Sequence, residues 1–226
     1  MLADDNAETI PGEEFGPIPG EEFGPMGEHG VHMTLHDTTA NAAPLGLMAF
    51  GLTTALVSVH NAGLIPLSGM LLAMTVFYGG MAQVIAGIME WKKNSTFGMT
   101  AFLSFGFFWL TFVGIFAFPK WIGSAGLELG ATSTALGYYL LAWALFVGLM
   151  FVGSLRINRA LQFVFLSATV LLLLLAIGEW TGNEMFTKIA GWEGIVCGLS
   201  AVYTSIAQVW NELYDRVVLP LGPYNK

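Results

Sequence analysis

The stretch ALQFVFLSATVLLLLLAIG, residues 160–178, decides the fold class of this chain. It runs for nineteen residues without a charged side chain. An α-helix rises about 1.5 Å per residue, so roughly 20 apolar residues cross the hydrocarbon core of a bilayer. A stretch of this length and composition therefore predicts a transmembrane helix.

Five further apolar stretches precede and follow it, separated by short connections that contain helix breakers. Apolar residues make up 55% of the chain and charged residues only 11%, whereas an average soluble domain has about 25% charged residues. The fold class is therefore predicted to be an all-α integral membrane protein with six transmembrane helices. The predicted spans are 43–59, 66–89, 97–118, 135–155, 160–178 and 194–210.

The spans occupy residues 41–212, between an acidic leader at 1–40 and a short tail at 213–226. The leader holds nine of the sixteen acidic residues and repeats the octapeptide IPGEEFGP at 10–17 and 18–25. Its prolines and glycines disfavour regular structure, and it has too little apolar surface to offset the entropy of ordering. We expect a disordered, solvated leader, and docking of its two phenylalanines on a partner is the alternative.

Three histidines of the leader, His29, His32 and His36, have a spacing that could bind a metal on a helix. Neighbouring glycines make such a helix unfavourable, so we expect no metal site and no cofactor. The lone cysteine, Cys197, lies in an apolar run and is interpreted as a small buried residue.

The distribution of lysine and arginine predicts the orientation of the spans. If the N-terminus is cytoplasmic, the cytoplasmic segments carry six of these residues and the outer loops only two, Lys120 and Lys188. Cytoplasmic loops hold the excess of lysine and arginine, and acidic residues have little influence. We therefore expect a multi-pass protein of the cell membrane with both termini in the cytoplasm.

The chain lacks the residues that covalent chemistry in a membrane needs. Membrane enzymes require ionisable groups within or beside their spans, and no zinc-protease, serine-hydrolase or P-loop motif occurs. We expect no enzymatic activity, and without a basic cluster we expect no nucleic-acid partner. The ionisable residues at span ends are interpreted as solvated: His60, Glu90, Glu179, Glu193 and Glu212.

Neutral polar residues within the spans are the candidates for a solute path. The hydroxyl groups could instead bond one helix to another. The glutamines come from three different spans and could line one path, because each amide needs several partners. The candidates are Thr53, Thr54, Tyr78, Gln83, Gln162 and Gln208.

The third span places Phe105, Trp109, Phe112 and Phe116 on one helix face, since they are spaced by four, three and four residues. This face could pack against lipid or other helices. It could also form an apolar constriction that resists hydrated ions. The sequence leaves both interpretations open.

Short motifs mark the spans in order. They are NAAPLGLMAFG from Asn41, HNAG at 60–63, FYGGMAQ at 77–83, TFG at 96–98, FWL at 108–110, LQFVF at 161–165, AGW at 190–192 and NE at 211–212. In order and spacing they resemble the acetate uptake family, the succinate/acetate permeases. The resemblance covers nearly everything from Asn41 to Gly222, and the leader has no counterpart in it.

This resemblance implies six-helix protomers with a pore-containing bundle, assembled as a hexamer, and acetate or related short carboxylates as cargo. It also implies a narrow apolar point formed by Phe50, Phe105 and Ala168. Asn41 marks the start of the first helix, whose positive dipole end suits an anion. Two positions depart from the family pattern: Ala42 replaces a proline, and Ala168 is smaller than expected.

We therefore predict a membrane channel or transporter that passes acetate and related short-chain carboxylates, with succinate as a further cargo. Whether it is a channel or a proton-linked carrier stays open. The alternatives are a neutral-solute channel for urea, ammonia or water, and a membrane sensor or scaffold that transports nothing. The expected partners are a small carboxylate, the lipid bilayer and further copies of the chain.

Overall fold

The structure is a computed structural model that describes residues 39–121 and 132–223, without the side chains of residues 120 and 121. The described residues belong to one unit of the fold, Thr38–Lys226. The predicted leader up to residue 38, with its repeats and histidines, lies outside them.

Helices make up most of the described chain. The first span is α1 (Ala43–Asn61), and the second combines α2 (Gly69–Ala73), a π-helical stretch (Met74–Ala82) and α3 (Gln83–Lys92). The remaining spans are α4 (Thr96–Trp121), α5 (Ser133–Ser154), α6 (Arg159–Thr181) and α7 (Glu184–Leu213). Among the described residues, six helical segments are long and apolar enough to cross a membrane. The predicted fold class is confirmed.

The last helix is longer than the sequence predicted. We expected a loop at 179–191 and a span at 194–210, but α7 begins at Glu184 and continues to Leu213. The predicted loop is therefore wrong for most of its length. Charged residues near the start of α7 lower the mean hydropathy there, so this segment was not predicted as part of a span. These side chains are exposed, and a helix can continue beyond the apolar layer when its charged residues stay in contact with water.

Local interactions fix the boundary between α6 and α7. Gly182 ends α6 with a left-handed backbone, φ 62°, a conformation that glycine adopts without strain. Asn183 then caps α7, because its Oδ1 accepts a hydrogen bond from the backbone nitrogen of Met185 at 3.0 Å. Lys188 and Glu184 form an exposed ion pair of 3.5 Å on the first turns.

Glycines bring α1 and α7 into backbone contact. A Cβ added at Gly51 would lie 2.6 Å from the carbonyl oxygen of Gly198, and a Cβ added at Gly194 would overlap the hydroxyl group of Ser58. Small residues allow membrane helices to approach closely, which compensates for the lack of a hydrophobic driving force in lipid. The first and last spans therefore depend on these glycines for their packing.

The π-helical stretch in the second span is packed in the same way. A Cβ added at Gly79 would lie 2.7 Å from Thr53 Cγ2, and one added at Gly80 would lie 2.6 Å from Leu110 Cδ2. π-helical turns are rare and occur often at functional sites. Here the wider turns lie against α1 and α4, beside the cavities described below.

The C-terminal tail folds back onto the helices. Asn211 Oδ1 accepts hydrogen bonds from the backbone nitrogens of Val218 and Leu219, at 2.7 and 3.0 Å, and its Nδ2 donates to the Leu219 carbonyl oxygen at 2.8 Å. The backbone nitrogen of Arg159, at the start of α6, donates to the carbonyl oxygen of Gly222 at 2.9 Å. The tail thus satisfies an N–H group that a helix start leaves free.

Candidate solute path

Two cavities of the helical unit adjoin each other and form the candidate path. The large cavity, about 630 Å³, includes His60 and Glu179 in its wall, at the C-terminal ends of α1 and α6. The small cavity, about 350 Å³, includes Ala43 and Leu221, where α1 begins and the tail ends. The two cavities therefore extend toward opposite ends of the bundle.

Three side chains line both cavities: Phe50 of α1, Phe105 of α4 and Ala168 of α6. Their exposed fractions are 6%, 7% and 2%. The ring centroids of Phe50 and Phe105 are 5.0 Å apart, and the ring centroid of Phe165 lies 6.0 Å from that of Phe105. The residues expected at the narrow point are thus together in space, where the cavities adjoin.

The large cavity is mostly apolar, and the aromatic face of α4 lines it with Phe105, Trp109, Phe112 and Phe116. Two groups in its wall, Trp109 Nε1 and Thr54 Oγ1, are buried without a hydrogen-bond partner among the described residues. A buried donor without a partner costs about 1–3 kcal/mol. An indole N–H and a hydroxyl can both donate to a carboxylate oxygen, so the pair can receive a solute or water.

The small cavity holds a buried amide. Gln83, at the start of α3, is fully buried, and neither its Oε1 nor its Nε2 has a partner among the described residues. Gln208 of α7 lines the same cavity, and its Oε1 accepts a hydrogen bond from Asn41 Nδ2 at 3.2 Å. Burying an amide without partners is unfavourable, so Gln83 is a second contact for a polar solute.

Four of the candidate residues, Asn41 among them, are outside the walls of these two cavities. Thr53 is fully buried and donates to the carbonyl oxygen of Met74 at 3.5 Å, which fits the alternative that hydroxyl groups join helices. Gln162 Nε2 donates to the carbonyl oxygen of Leu155 at 3.4 Å. Tyr78 is half-buried on the π-helical stretch.

Two glutamates expected to be solvated are largely withdrawn from solvent. Glu90 is 5% exposed and lines the small cavity, where its carboxylate lies against Gly98. Glu193 lies inside α7, where it accepts a hydrogen bond from Ser167. The expectation is wrong for both, because α4 packs beside Glu90 and α7 begins well before Glu193.

Among the residues that the structure describes, no lysine or arginine lines either cavity. His60 Nδ1 donates to the carbonyl oxygen of Ile65 at 2.9 Å. Among the described residues, no group of three or more histidine, cysteine, aspartate or glutamate side chains could hold a metal. An anionic solute would therefore meet neutral hydrogen-bond donors such as Trp109, Thr54 and Gln83, while the carboxyl groups of Glu179 and Glu90 also lie in the walls of the large and small cavity.

Neither the donor at Trp109 nor the burial of Glu90 was predicted from the sequence. Trp109 was assigned only to an aromatic face, although its N–H needs a partner when it is buried in a span. That requirement was a usable signal. No sequence signal indicated that Gly98 leaves room for the Glu90 carboxylate, since this depends on how α4 packs against α3.

The chain matches known membrane transport proteins. The GPR1/FUN34/yaaH family matches residues 23–223. The succinate-acetate/proton symporter SatP of Escherichia coli (strain K12) is 51% identical over 183 residues, which cover 81% of this chain and 95% of that protein. Ammonia transport outward protein 2 of Saccharomyces cerevisiae is 38% identical over 175 residues, which cover 75% of this chain and 61% of that protein.

A solved structure supports the same relationship. The bacterial acetate channel SatP matches with a TM-score of 0.77 at 51% identity, covering 81% of this chain and 99% of that one. The predicted resemblance to succinate/acetate permeases is confirmed. With a family match over most of its length and this close a relative, the chain belongs to the GPR1/FUN34/yaaH family.

Proposed function

We propose that this protein passes acetate and related short-chain carboxylates across a membrane through the large and small cavities. One observation carries the proposal: unpartnered, buried donors flank an apolar narrow point. Trp109 Nε1 and Thr54 Oγ1 lie on one side and Gln83 Nε2 on the other. The relatives named for succinate and acetate support this class of cargo.

A protein path for acetate has a physical purpose. A carboxylate is expensive at the centre of a bilayer, and a carboxyl pKa of about 4 leaves little neutral acid at neutral pH. An ionised carboxylate has only hydrogen-bond acceptors. Neutral donors can therefore replace part of its hydration without binding it as tightly as a buried cation would.

The geometry suggests a sequence of contacts. In the large cavity, the carboxylate accepts hydrogen bonds from Trp109 and Thr54 and keeps part of its water. At the narrow point its methyl group slides past Phe50, Phe105 and Ala168, whose apolar walls resist hydrated ions. It is then received by Gln83 in the small cavity.

Flux into liposomes tests the proposal directly. The purified full chain is reconstituted, and labelled acetate, formate, succinate and urea are followed side by side, with protein-free liposomes as background. We expect fast acetate flux that other short carboxylates inhibit. Acetate flux equal to that of protein-free liposomes would contradict the function.

The indole nitrogen of Trp109 provides a sharper test. Trp109→Phe keeps an aromatic ring in the wall and removes the donor. A hydrogen bond to a charged group contributes about 1.5–3 kcal/mol, so we expect acetate flux at low concentration to fall about tenfold or more. Trp192→Phe is the matched control, since Trp192 is 57% exposed on α7. Equal acetate flux in the two variants would show that the indole N–H of Trp109 does not bind the solute.

A neutral-solute channel is the second candidate. The described parts of the cavity walls include no lysine or arginine, and one relative is named for outward ammonia transport. In the same liposomes, a flux of labelled acetate that unlabelled acetate inhibits, but urea and ammonia do not, favours the carboxylate function. Fast ammonia or urea flux that acetate does not inhibit favours the alternative.

Orientation and assembly complete the proposal. The lysine and arginine distribution supports cytoplasmic termini in the cell membrane, which directs the large cavity to the outside and the small cavity to the cytoplasm. By family resemblance each protomer carries its own path within a hexamer. Cross-linking of the protein in native membranes tests the number of subunits.

A further inference from the structure

Glu193 places a carboxyl group inside a transmembrane helix. It lies about two and a half turns after Glu184, the first residue of α7. Its Oε1 accepts a hydrogen bond from the Ser167 hydroxyl group of α6. Its Oε2 is buried without a partner among the described residues.

No cation faces this carboxyl group from the helices packed along α7, which are α1 and α6. The single titratable group of α1 is His60, near its end, where it binds the Ile65 carbonyl oxygen. On α6, residues 160–178 include no titratable side chain. Arg159 and Glu179 flank that stretch, about 12 and 18 Å along the helix from Ser167.

The nearest titratable group on α7 itself is Cys197, one turn further along the helix. Cys197 is fully buried, and its Sγ lies 3.8 Å from the carbonyl oxygen of Val164. Lys188 is paired with Glu184. Within the described part of the chain, the surroundings of Glu193 therefore supply one neutral hydroxyl group and no compensating charge.

A carboxylate in this position would lack a partner for one oxygen and would bear a charge within the apolar layer. Both features are unfavourable, whereas the neutral acid avoids the charge and keeps the hydrogen bond from Ser167. The protonated form is thus favoured by the geometry. When Glu193 loses its proton, the charged carboxylate is stabilised only if water enters or the surrounding helices move.

Ser167 links this carboxyl group to the solute path. Its neighbour Ala168 lines both cavities at the narrow point. The hydrogen bond from Ser167 to Glu193 and the contact from Cys197 to Val164 join α7 to the same segment of α6. A change in the charge of Glu193 therefore acts on the helix segment that carries Ala168.

We propose that Glu193 is a proton-binding site and a positioning residue: a proton on its carboxyl group maintains the bond to Ser167 and thereby sets the position of Ala168 at the narrow point. The role in flux rests on the proposed function, whereas the binding of a proton does not. When the site ionises, the O–H bond of the acid breaks and the proton passes to water. Passage through the narrow point then depends on pH beyond the protonation of the cargo.

Infrared spectroscopy and flux test the two parts separately, both with the full chain in liposomes. The C=O band of a protonated carboxyl group should be present at neutral pH without acetate, and the component that belongs to Glu193 should be lost in Glu193→Gln. The control Glu184→Gln changes an exposed acid on the same helix and should keep the band. A band that is equal in wild type and Glu193→Gln overturns the proton site, whether or not the protein transports acetate.

Flux is then measured from mildly acidic to neutral pH and expressed per folded protomer. Glutamine stays neutral and still accepts from Ser167, so Glu193→Gln should keep the flux of the protonated state at every pH. We expect the ratio of wild-type flux to Glu193→Gln flux to change severalfold across this pH range. The ratio of wild-type flux to Glu184→Gln flux should stay constant. A constant ratio for both variants overturns the coupling to Ala168.

Discussion

Ala168 is the smallest of the three side chains shared by the large and small cavities, and the two facing rings belong to Phe50 and Phe105. If the narrow point limits flux, the width left between these three side chains determines which solutes pass. The side chains around it are apolar, so a solute is selected there by its dimensions and by loss of water more than by charge. Substitutions at the narrow point should therefore change selectivity.

We predict that Phe50→Ala raises succinate flux relative to acetate flux and that Ala168→Leu lowers both. Phe77→Ala and Ala73→Leu are matched controls, because both residues are exposed on the second span. Flux is measured per folded protomer, since loss of a buried phenylalanine costs about 3–5 kcal/mol of stability. An unchanged succinate to acetate ratio in Phe50→Ala would place the selective step elsewhere.

The C-terminal tail provides hydrogen-bond partners for the start of α6. Asn211 holds the backbone of Val218 and Leu219, and the tail carbonyls accept from the start of α6. The same segment brings Leu221 into the wall of the small cavity. The tail was predicted at 213–226; α7 ends at Leu213, and the tail is packed on the helices as far as it is described.

We predict that Asn211→Ala loosens this tail. Removing the side chain leaves the Val218 and Leu219 nitrogens without their acceptor, and each lost hydrogen bond costs about 1 kcal/mol. Hydrogen exchange should become faster in the tail and at the backbone amide of Arg159. Glu212→Gln, at an exposed neighbour, is the control; unchanged exchange in Asn211→Ala would show that other contacts hold the tail.

Helix ends were the least predictable feature at the scale of elements. The sequence located all six spans, yet α7 starts at Glu184, within the loop predicted at 179–191. Hydropathy reports where a helix is apolar, not where its hydrogen bonds stop. The cap formed by Asn183 and the left-handed Gly182 decide that point.

At the scale of the molecule, the orientation of the bundle remains a prediction. Six lysine or arginine residues on one side against two on the other favour cytoplasmic termini. Protease added to sealed right-side-out vesicles should leave the leader intact, and permeabilised vesicles are the control. Cleavage in sealed vesicles would reverse the orientation and with it the sides assigned to the two cavities.

The sequence by itself determined the family, the six-span architecture and the region where each span lies. It also named the three residues that line both cavities, through the resemblance to a family and not through periodicity. Long charge-free stretches and ordered motifs carry this information, because the apolar layer demands a minimum length of helix.

Only the tertiary structure decided which polar side chains face a cavity. Thr53 and Thr54 are adjacent in sequence, yet Thr53 bonds the neighbouring helix while Thr54 lines the large cavity without a partner. In a soluble helix, hydrophobic periodicity would identify the buried face. In a membrane, lipid-facing and core-facing residues are both apolar, so the pattern along a span does not reveal its inner face, and only the packing of the helices does.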